Sequence, residues 1–460
     1  MKVSVNSGGK RSATPVIPKN TNQRTPRRIT PLTAKIGKRS PSEICTPSYK
    51  LAKHEEGTND DNPAKSLKSL KNTKESINRG SLKTFNLDRT DKSLPGIIPN
   101  GPIAPAFAKQ RFRNIISTYE NSEINDYKEI YFLGNVTKVA SARGNQNNYG
   151  YDLPTKQYRA LVGDHLAYRY EIVAILGRGA FGEVMRCYDH KSNCMVAVKI
   201  LVNTPLMHKQ GLIEIENQKK VMDSNYVAKV TDSFVFRSHL CMVTEVLGIS
   251  LFNYLKSHNF SPLPVKMTKT IAFELISGLV TVHSKGIIHA DLKPENILFL
   301  IGSTNHIKII DFGSSCVIGQ ELYNYLQSRY YRAPEVILGI KYGTPIDMWS
   351  AGCIIAELAI GKPIFNGESA IDMLNKFVET VGLPPQNVIE ACPVKTKFFK
   401  NGNTVSQPTP LKNRLSNVIK TNDQPLIDFL SKCFEWDQNK RMTAAKALKH
   451  PWLAKIPKGK

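Results

Sequence analysis

Acidic residues are scarce in this 460-residue chain, which holds 38 of them against 63 lysines and arginines. The deficit is largest at the start, where the first fifty residues contain eleven basic residues and a single acidic one, Glu43. Aromatic residues are also rare there, with only Tyr49 and Phe85 in the first hundred residues. Such a segment cannot bury enough apolar area to offset the entropy of ordering. We therefore expect residues 1–110 to form a disordered basic tail.

Long apolar runs are missing as well. No stretch reaches the ~18 apolar residues that a membrane span requires, and residues 1–19 lack the apolar core of a signal peptide. The eight cysteines form no CxxC pair and show no metal-ligand spacing. The composition therefore predicts an intracellular protein of the cytoplasm or nucleus, with no membrane span and with reduced thiols.

The basic tail admits several interpretations. Residues 24–28 read RTPRR and residues 35–39 read KIGKR, and such clusters bind nucleic acid, anionic lipid or a nuclear import receptor. Aromatic residues are not interleaved with these clusters, which argues against nucleic acid as the partner. A nuclear import receptor and a merely solvated basic tail remain the two alternatives.

A set of catalytic residue types lies in the middle of the chain, where residues 289–296 read HADLKPEN and residues 311–313 read DFG. Phosphoryl transfer needs a carboxylate to orient the attacking hydroxyl, ligands for Mg²⁺, and a cation near the transferred group. Asp291 is the candidate base and Lys293 the candidate cation. The side-chain oxygens of Asn296 and Asp311 are candidate Mg²⁺ ligands.

A glycine-rich turn precedes this set, since residues 177–184 read GRGAFGEV. Such a turn alone is weak evidence, because dinucleotide-binding sites also carry it. Here β-type residues continue after the turn, where a dinucleotide site would begin a helix. That favours a hairpin over the phosphates of ATP, with contacts from Gly177, Gly179, Ala180, Phe181, Gly182 and Val184.

A second strand-like run at residues 196–199 reads VAVK, a pattern in which the lysine pairs with the α- and β-phosphates of ATP. A lone lysine on a strand is more often a solvated edge residue. The position of Lys199 between the glycine-rich turn and the HADLKPEN segment favours the nucleotide-binding role. Ala197 precedes it by two residues and is expected beside the adenine.

Together, these motifs resemble the protein kinase signature set from about residue 168 to 453. The resemblance implies a bilobal α+β fold, with a β-rich N-lobe at about 169–247 and a helical C-lobe at about 248–453. It implies ATP and Mg²⁺ as cofactors and proteins as substrates. It also aligns Glu214, rather than Glu216, with the glutamate that pairs with Lys199.

The resemblance assigns further positions on either side of the catalytic set. Thr244 corresponds to the residue that borders the pocket behind the adenine, and Glu245 and Leu247 to the segment that joins the lobes. Thr244 replaces a phenylalanine common in related kinases, so we expect a more open back pocket. Glu335, in the APE at residues 333–335, is expected to pair with Arg441 in a structural role.

Residues 311–316, DFGSSC, and residues 323–332, YNYLQSRYYR, are similar to the dual-specificity tyrosine-regulated kinases, the DYRK family. That family autophosphorylates the second tyrosine of the pair during maturation, which points to Tyr325. A phosphotyrosine needs guanidinium partners, and Arg329 and Arg332 are the candidates. The family also prefers serine or threonine followed by proline, with arginine upstream. The alternative is that the tyrosines are plain packing residues.

Residues preceding the kinase match carry further resemblance. Residues 163–171, GDHLAYRYE, resemble the DYRK-homology box, and residues 125–134, NDYKEIYFLG, resemble the accessory region of the class II branch. That region assists tyrosine autophosphorylation in cis in the branch. We therefore expect residues 120–168 to form an accessory region that folds with the kinase domain of residues 169–453.

Two departures keep alternatives open. Ala290 is the residue found in homeodomain-interacting kinases, where DYRK members usually have cysteine. Gln218 occupies a position that is normally leucine, and a buried polar group there weakens the assembly of the lobes unless it is hydrogen-bonded. The alternatives are thus a homeodomain-interacting-type kinase and a catalytically weak scaffold, although the catalytic residue types are all retained.

Overall fold

The computed structural model describes residues 101–137, 147–179, 181–320, 325–400, 403–404 and 414–454. These residues form an accessory region, a β-rich lobe and a helical lobe, in that order along the chain. The predicted bilobal α+β fold is confirmed. The tail interpretations for residues 1–100 fall outside the described residues.

The accessory region begins earlier than predicted. Helix α1 (Pro105–Arg111) lies within the predicted tail, and Ile103 pairs with Ile130 in an isolated β-bridge. The tail boundary at residue 110 was therefore wrong. Ala108 is fully buried in an apolar cluster with Ile130 and Tyr168, so this short apolar stretch contributes to a core despite its basic surroundings.

Helix α2 (Thr118–Glu123) follows and begins with a reciprocal cap. Glu120 N donates to Ser117 Oγ at 3.2 Å, and Ser117 N donates to Glu120 Oε2 at 2.9 Å. This arrangement satisfies two backbone donors that the helix start would leave unpaired. It also fixes the entry of the chain into α2.

The β-rich lobe is a six-stranded sheet in which each neighbouring pair is antiparallel, in the order β1-β2-β3-β4-β6-β5. The glycine-rich turn joins β2 to β3 as the predicted hairpin. Gly182 has φ +149°, and a Cβ there would lie 2.1 Å from the Ile200 carbonyl oxygen, so only glycine fits. The strands are β1 (His165–Leu166), β2 (Tyr170–Gly179), β3 (Gly182–Asp189), β4 (Cys194–Leu201), β5 (Val230–Phe236) and β6 (His239–Glu245).

Helix α3 (Pro205–Lys220) packs on this sheet. Thr204 caps it by accepting a hydrogen bond from Met207 N, and Pro205 occupies its first position. A Cβ at Gly211 would lie 2.1 Å from Leu201 Cδ1, so glycine allows close packing on β4. The buried face of α3 is unusually polar, and its polar members are Gln210, Glu214, Asn217 and Gln218.

The helical lobe is centred on α7 (Pro345–Ile360), an apolar helix that is buried nearly all round. It ends at Gly361, which has a left-handed φ of 81°. Among the described residues, no helix combines the length and apolarity that crossing a membrane requires.

The lobe's remaining elements follow in chain order. Strands β7 and β10 pair, as do β8 with β9 and β11 with β12. The elements are α4 (Leu251–Ser257), α5 (Val265–Ser284), β7 (Ile287–Ile288), β8 (Ile297–Phe299), β9 (Ile307–Ile309), β10 (Cys316–Val317), α6 (Pro334–Leu338), α7 (Pro345–Ile360), α8 (Ala370–Val381), α9 (Gln386–Ala391), α10 (Lys395–Phe398), β11 (Phe399–Lys400), β12 (Asn403–Thr404), α11 (Arg414–Ile419), α12 (Gln424–Cys433), α13 (Ala444–Ala447) and α14 (Pro451–Ala454).

Candidate active site

The segment at residues 289–296, the catalytic loop, is held by a carboxylate from the core. Asp347 on α7 is fully buried and accepts hydrogen bonds from His289 N at 2.8 Å and Ala290 N at 2.9 Å. His289 Nε2 lies 3.0 Å from the Ile310 carbonyl oxygen, which connects the loop to the residue before Asp311. The backbone is therefore fixed on both sides of the site before any substrate binds.

Three side chains converge at the candidate base, Asp291. Lys293 Nζ lies 2.6 Å from Asp291 Oδ2, and Ser328 Oγ donates to Asp291 Oδ1 at 2.8 Å. Lys293 Nζ also donates to Ser328 Oγ at 3.2 Å, and Asn296 Nδ2 donates to the Asp291 carbonyl oxygen at 2.8 Å. The orientation of the Asp291 carboxylate is thus set by a cation and a hydroxyl. Ser328 was missed in the sequence, although it lies inside the YNYLQSRYYR motif.

The lysine of β4 bridges two carboxylates. Lys199 Nζ lies 2.7 Å from Glu214 Oε1 and 3.0 Å from Asp311 Oδ1. Glu216 instead points to the surface, where it pairs with Lys220 at 2.8 Å. Burial raises the pKa of Asp311, but the Lys199 ammonium outweighs it and the net pKa is lowered. Asp311 is therefore held as the carboxylate that a cation ligand must be.

Helix α3 also binds the start of the activation segment, residues 311–335. Gln210 Nε2 donates to the Gly313 carbonyl oxygen at 2.8 Å, and Asn217 Nδ2 donates to Ser315 Oγ at 3.1 Å. Ser315 Oγ donates in turn to the Phe312 carbonyl oxygen at 2.7 Å. These bonds place the DFG backbone against the helix that carries Glu214. Sequence reasoning missed Gln210 and Asn217, because amphipathic patterns identify apolar faces only.

Gln218 is buried next to this contact, with 1% of its surface exposed. Its Nε2 donates to the Ala228 carbonyl oxygen at 2.8 Å. Its Oε1 has no hydrogen-bond partner within the described residues. The condition expected from the sequence is thus met by one of the two polar atoms, and one buried acceptor remains a cost to the fold.

The candidate Mg²⁺ ligands suit that ion. The Asn296 amide uses its N–H group on the Asp291 carbonyl oxygen, which leaves Oδ1 as its acceptor atom. Asp311 holds one carboxylate oxygen against Lys199, and about a third of its side chain is exposed. An amide oxygen beside an ionised carboxylate is a donor set typical of Mg²⁺, so the residues present fit a magnesium–nucleotide complex.

The remaining candidates for nucleotide contact lie on β4, on β6 and just after it, and in the glycine-rich turn. Thr244 on β6 pairs with Ala197 on β4 and is half-buried. The Glu245 carboxylate is already occupied, because Lys308 Nζ lies 2.5 Å away and Lys229 N donates to it at 2.9 Å. Glu245 can therefore offer a nucleotide its backbone only. Leu247 is half-buried, Phe181 is exposed, and Ala180 lies outside the described residues.

The activation segment presents Tyr325 to solvent, with 60% of the residue exposed. Its hydroxyl is hydrogen-bonded to Arg332 Nη1, and the Arg332 guanidinium lies 3.9 Å from the ring centroid. Arg332 also donates to the carbonyl oxygens of Leu326 at 2.8 Å and Gln327 at 2.7 Å. Its position is therefore fixed by backbone as well as by Tyr325.

Arg329 is exposed. Within the described residues, it forms no hydrogen bond with Tyr325. It does lie near Arg332, since burial first and then the charge of Arg329 lower the pKa of Arg332. Residues 321–324, which include Tyr323, lie outside the described residues. Of the two predicted guanidinium partners, Arg332 alone is placed at the tyrosine hydroxyl in the described part.

Two further carboxylates, Glu295 on the catalytic loop and Glu357 on α7, lie near each other. Glu357 on α7 accepts a hydrogen bond from Tyr331 Oη at 2.7 Å. Burial raises the pKa of Glu357 to about 7, and the charge of the exposed Glu295 adds to the rise. The mutual influence places the two carboxylates in one region below the activation segment. No sequence motif singled out Glu357.

The structural pair expected from the sequence is present. Arg441 donates from Nη1 and Nη2 to the two carboxylate oxygens of Glu335, at 2.6 and 2.8 Å. Both side chains are buried, and the guanidinium also lies 5.2 Å from the Trp349 ring centroid. The end of the activation segment is thus anchored to the core of the helical lobe.

Comparison with known proteins agrees with this geometry. The family model described as the protein kinase domain matches residues 170–453. The chain is 42% identical over 355 residues to the DYRK-family kinase pom1 of Schizosaccharomyces pombe (strain 972 / ATCC 24843), covering 74% of this chain and 33% of pom1. It thus spans about a third of the length of that relative.

Two mammalian relatives are covered more fully. Dual specificity tyrosine-phosphorylation-regulated kinase 3 of Rattus norvegicus is 38% identical over 415 residues, which cover 83% of this chain and 69% of the relative. Dual specificity tyrosine-phosphorylation-regulated kinase 4 of Homo sapiens is 40% identical over 365 residues, which cover 76% and 70%. In both cases the similarity extends beyond the kinase domain match and covers more than two thirds of the relative.

Proposed function

This chain belongs to the DYRK family of protein kinases, and on that premise we propose that it transfers the γ-phosphoryl group of ATP to serine and threonine of proteins and to its own Tyr325. The observation that carries the proposal is the convergence of two clusters. Lys199 with Glu214 and Asp311 forms the nucleotide side, and Asp291 with Lys293 forms the acceptor side.

The residues divide the reaction as follows. Asp291 orients the acceptor hydroxyl and takes its proton as the oxygen attacks the γ-phosphorus and the bond to the β-phosphate oxygen breaks. Lys293 stabilises the charge of the transferred group, and Lys199 holds the α- and β-phosphates. Asn296 and Asp311 would hold Mg²⁺, which would neutralise part of the phosphate charge.

Tyrosine autophosphorylation is supported by the surroundings of Tyr325. The tyrosine is exposed, and its hydroxyl already contacts a guanidinium that two backbone carbonyls orient. A phosphate on that hydroxyl adds close to two negative charges and strong acceptors. Arg332 then gains a charged partner, and the charge of the nearby Arg329 is offset rather than unopposed.

A preference for arginine upstream of the acceptor is supported by Glu295 and Glu357. Glu295 is exposed on the catalytic loop, four residues after Asp291, and Glu357 carries a raised pKa in part because of it. Because Glu357 is buried, a substrate guanidinium would pair with the exposed Glu295, and Glu357 would add to the attraction only through its charge. The same charge logic disfavours acidic residues upstream of the acceptor.

The tail offers candidate substrates within the chain itself. Thr14 has Arg11 three residues before it and Pro15 after it, and Thr30 follows Arg27 and precedes Pro31. We propose that the kinase domain phosphorylates both sites, which reduces the positive charge of the tail and weakens its hold on an anionic partner or import receptor. Both sites lie outside the described residues, and the alternative is that another kinase uses them.

A transfer assay with a paired control tests the proposed activity. Purified chain is incubated with Mg·ATP labelled in the γ-phosphate and a peptide carrying arginine three residues before a Ser-Pro acceptor. We expect labelled peptide from the wild type, near-background transfer by Glu214→Gln, and unchanged transfer by Glu216→Gln, because only Glu214 pairs with Lys199. Equal transfer by both glutamate variants, or none by the wild type, contradicts the proposal, and the latter result favours a scaffold.

A further inference from the structure

The accessory region reaches the β-rich lobe through residues 152–158, here named the accessory hairpin. An antiparallel bridge between Asp152 and Tyr158 closes it, and Leu153 N donates to the Gln157 carbonyl oxygen at 2.8 Å. Its tip at residues 154–156 is exposed. The hairpin contacts two elements assigned to nucleotide binding, namely the start of α3 and the end of β2.

Asp152 is the centre of this contact. The residue is fully buried and accepts three hydrogen bonds, from Asn148 Nδ2 at 2.8 Å, His239 Nε2 at 2.9 Å and Asn203 Nδ2 at 2.9 Å. Those donors come from three separate parts of the chain. A buried carboxylate with donors on three sides is held in place, and the Asn203 bond is the one that links it to the start of α3.

Asn203 receives the hairpin at the start of α3. Its side chain binds Asp152, and its backbone N–H donates to the Lys156 carbonyl oxygen at 2.9 Å. The next residue, Thr204, is the N-cap of α3. Both bonds therefore fix the point from which α3 departs, and Glu214 lies ten residues further on, ~15 Å along the helix axis.

The glycine-rich hairpin shares this support. Gln157 Nε2 donates to the Gly179 carbonyl oxygen at 3.4 Å, a long and therefore weak bond. Val202 N, just before Asn203, donates to the Phe181 carbonyl oxygen at 3.1 Å. The segment at residues 202–203 is thus bound to the hairpin over the phosphates on one side and to the accessory hairpin on the other.

We propose that the accessory hairpin, through Asp152 and Asn203, positions α3 and the glycine-rich hairpin for ATP binding, so that the accessory region sets the nucleotide affinity of the enzyme in addition to any role in tyrosine autophosphorylation. Asn203 and Asp152 are positioning residues, since they act through Glu214 and Lys199. The inference rests on the proposed kinase function, because it assigns ATP to that site.

The start of α3 is coupled to ATP binding through the fraction of molecules in which Glu214 is paired with Lys199. Release of the α3 start increases the fraction of molecules in which Glu214 has left Lys199, and the apparent dissociation constant for ATP rises by the inverse of the competent fraction. Typical coupling between two sites changes affinity by ~5- to 150-fold. With one of two bonds to Asn203 removed, we expect the lower end of that range.

Two substitutions at the same carboxylate separate positioning from general loosening. Asn203→Ala removes the donor on the α3 side, and Asn148→Gly removes a donor on the opposite side, where Asn148 also binds the Arg237 carbonyl oxygen. Asn148 has φ 51°, so glycine adds no backbone strain there. Each variant costs Asp152 one hydrogen bond, and only the first touches α3.

The test measures Mg·ATP binding to the full chain by titration calorimetry, together with amide hydrogen exchange of residues 205–220. We expect Asn203→Ala to weaken ATP binding by about five- to tenfold and to speed exchange in α3. Asn148→Gly should leave both near wild type, and Gln157→Ala should weaken binding by less than about threefold because its bond is long.

Either of two results overturns the inference: wild-type affinity and exchange in Asn203→Ala, or an equal loss of affinity in Asn203→Ala and Asn148→Gly. Binding is read without turnover, so it remains separate from the proposed function. A wild type that binds Mg·ATP but transfers no phosphate contradicts the kinase proposal while the hairpin is still tested. A wild type that does not bind Mg·ATP overturns both.

Discussion

The catalytic loop and helix α3 form the two sides of the candidate site, and they are held in place by different contacts. The catalytic loop is bonded through its own backbone to Asp347, a residue of the buried core helix α7. Beyond its packing on the sheet, helix α3 is held by side-chain amides. Gln210 donates to the activation segment, and Asn203, just before the helix, donates to the accessory hairpin. One side of the site is part of a core, and the other depends on contacts between separate segments.

That difference has a physical consequence for movement. Backbone bonds to a buried carboxylate break only when the surrounding core opens, which costs a large part of the global free energy of unfolding. A few side-chain hydrogen bonds, each with a net stabilisation of ~0.5–1.5 kcal/mol, break in local fluctuations. We therefore expect changes near the catalytic loop to affect chemistry or global stability, and changes at α3 to affect the fraction of competent molecules.

The largest effect is expected on the rate of phosphoryl transfer, at the candidate base Asp291. Asp291→Asn removes the base and its ion pair with Lys293, whereas the bonds from His289 N and Ala290 N to Asp347 remain, so the fold should be unchanged. We expect phosphoryl transfer to fall by roughly 10²- to 10⁴-fold, the range of general acid–base catalysis. Initial rates with the arginine-containing peptide measure the loss, and thermal unfolding checks the fold. Retention of full turnover would remove Asp291 from the proposed role.

The next effect is on global stability. Arg441→Leu leaves the Glu335 carboxylate buried without its bidentate partner, and breaking a buried pair in this way costs ~3–5 kcal/mol. Urea unfolding should show a loss of that size. Glu216→Gln, which removes an exposed pair with Lys220, is the matched control and should change the free energy of unfolding little. A loss at Arg441 no larger than the control's would contradict a core-anchored activation segment.

These two predictions concern positions that the sequence alone could propose. Asp291, Asn296 and Asp311 could be proposed as candidates because phosphoryl transfer needs those residue types at short spacing. Ser328, Gln210 and Asn217 could not, since each binds a partner 37, 103 and 98 residues away in sequence. Their residue types carry no chemical signature, and only folding brings them to their partners.

The same reasoning explains why the sequence missed the helix at residues 105–111 but predicted the hairpin of β2 and β3. The helix at 105–111 was assigned to the tail because its surroundings are basic, and the short apolar set that packs with Ile130 was too small to outweigh composition. The hairpin of β2 and β3 was predicted correctly, because alternating β-type residues flank a turn whose Gly182 needs a positive φ.

Tyr325→Phe tests the activation segment, which lies between the two sides. The variant cannot be phosphorylated, so Arg332 keeps only the carbonyl oxygens of Leu326 and Gln327 and remains close to Arg329. We expect a several-fold lower kcat, because the phosphotyrosine partner is lost but the backbone anchors remain. Steady-state kinetics of the phosphorylated wild type and the variant give the comparison. Equal kcat values would show that the phosphate has no part in positioning the segment.

A pH dependence is expected from Glu357, whose pKa of about 7 lies above the ordinary value of 4.5. The carboxyl is therefore neutral at low pH. Its raised pKa stabilises the folded state fully below about pH 4.5, and this stabilisation is lost as the pH rises through about 7.

Substrate binding changes in the opposite direction, because the attraction of Glu357 for a substrate arginine grows as the carboxyl ionises between those pH values. The KM for the arginine peptide should fall from pH 6 to 8. In Glu357→Gln, that fall should disappear, and a variant that keeps it would dissociate arginine recognition from Glu357.

The smallest effect is expected at Gln218. Substitution by leucine removes the buried Oε1 acceptor that lacks a partner within the described residues, which is stabilising, and removes the bond to the Ala228 carbonyl oxygen, which is destabilising. The two changes oppose each other, so the free energy of unfolding should shift by less than about 1 kcal/mol. Urea unfolding of Gln218→Leu measures the balance. A loss beyond about 2 kcal/mol would mean that the polar face of α3 is itself a main source of stability.

One measurement tests the central claim, that a single site phosphorylates both its own tyrosine and serine or threonine. The wild type and Asp291→Asn are each made in a reconstituted bacterial translation system, incubated with Mg·ATP, and mapped by phosphopeptide mass spectrometry. We expect phosphate on Tyr325 and on Ser/Thr-Pro sites such as Thr14 or Thr30 in the wild type, and on none of them in Asp291→Asn. An active wild type without phosphate on Tyr325, or Tyr325 phosphorylated in Asp291→Asn, would contradict it.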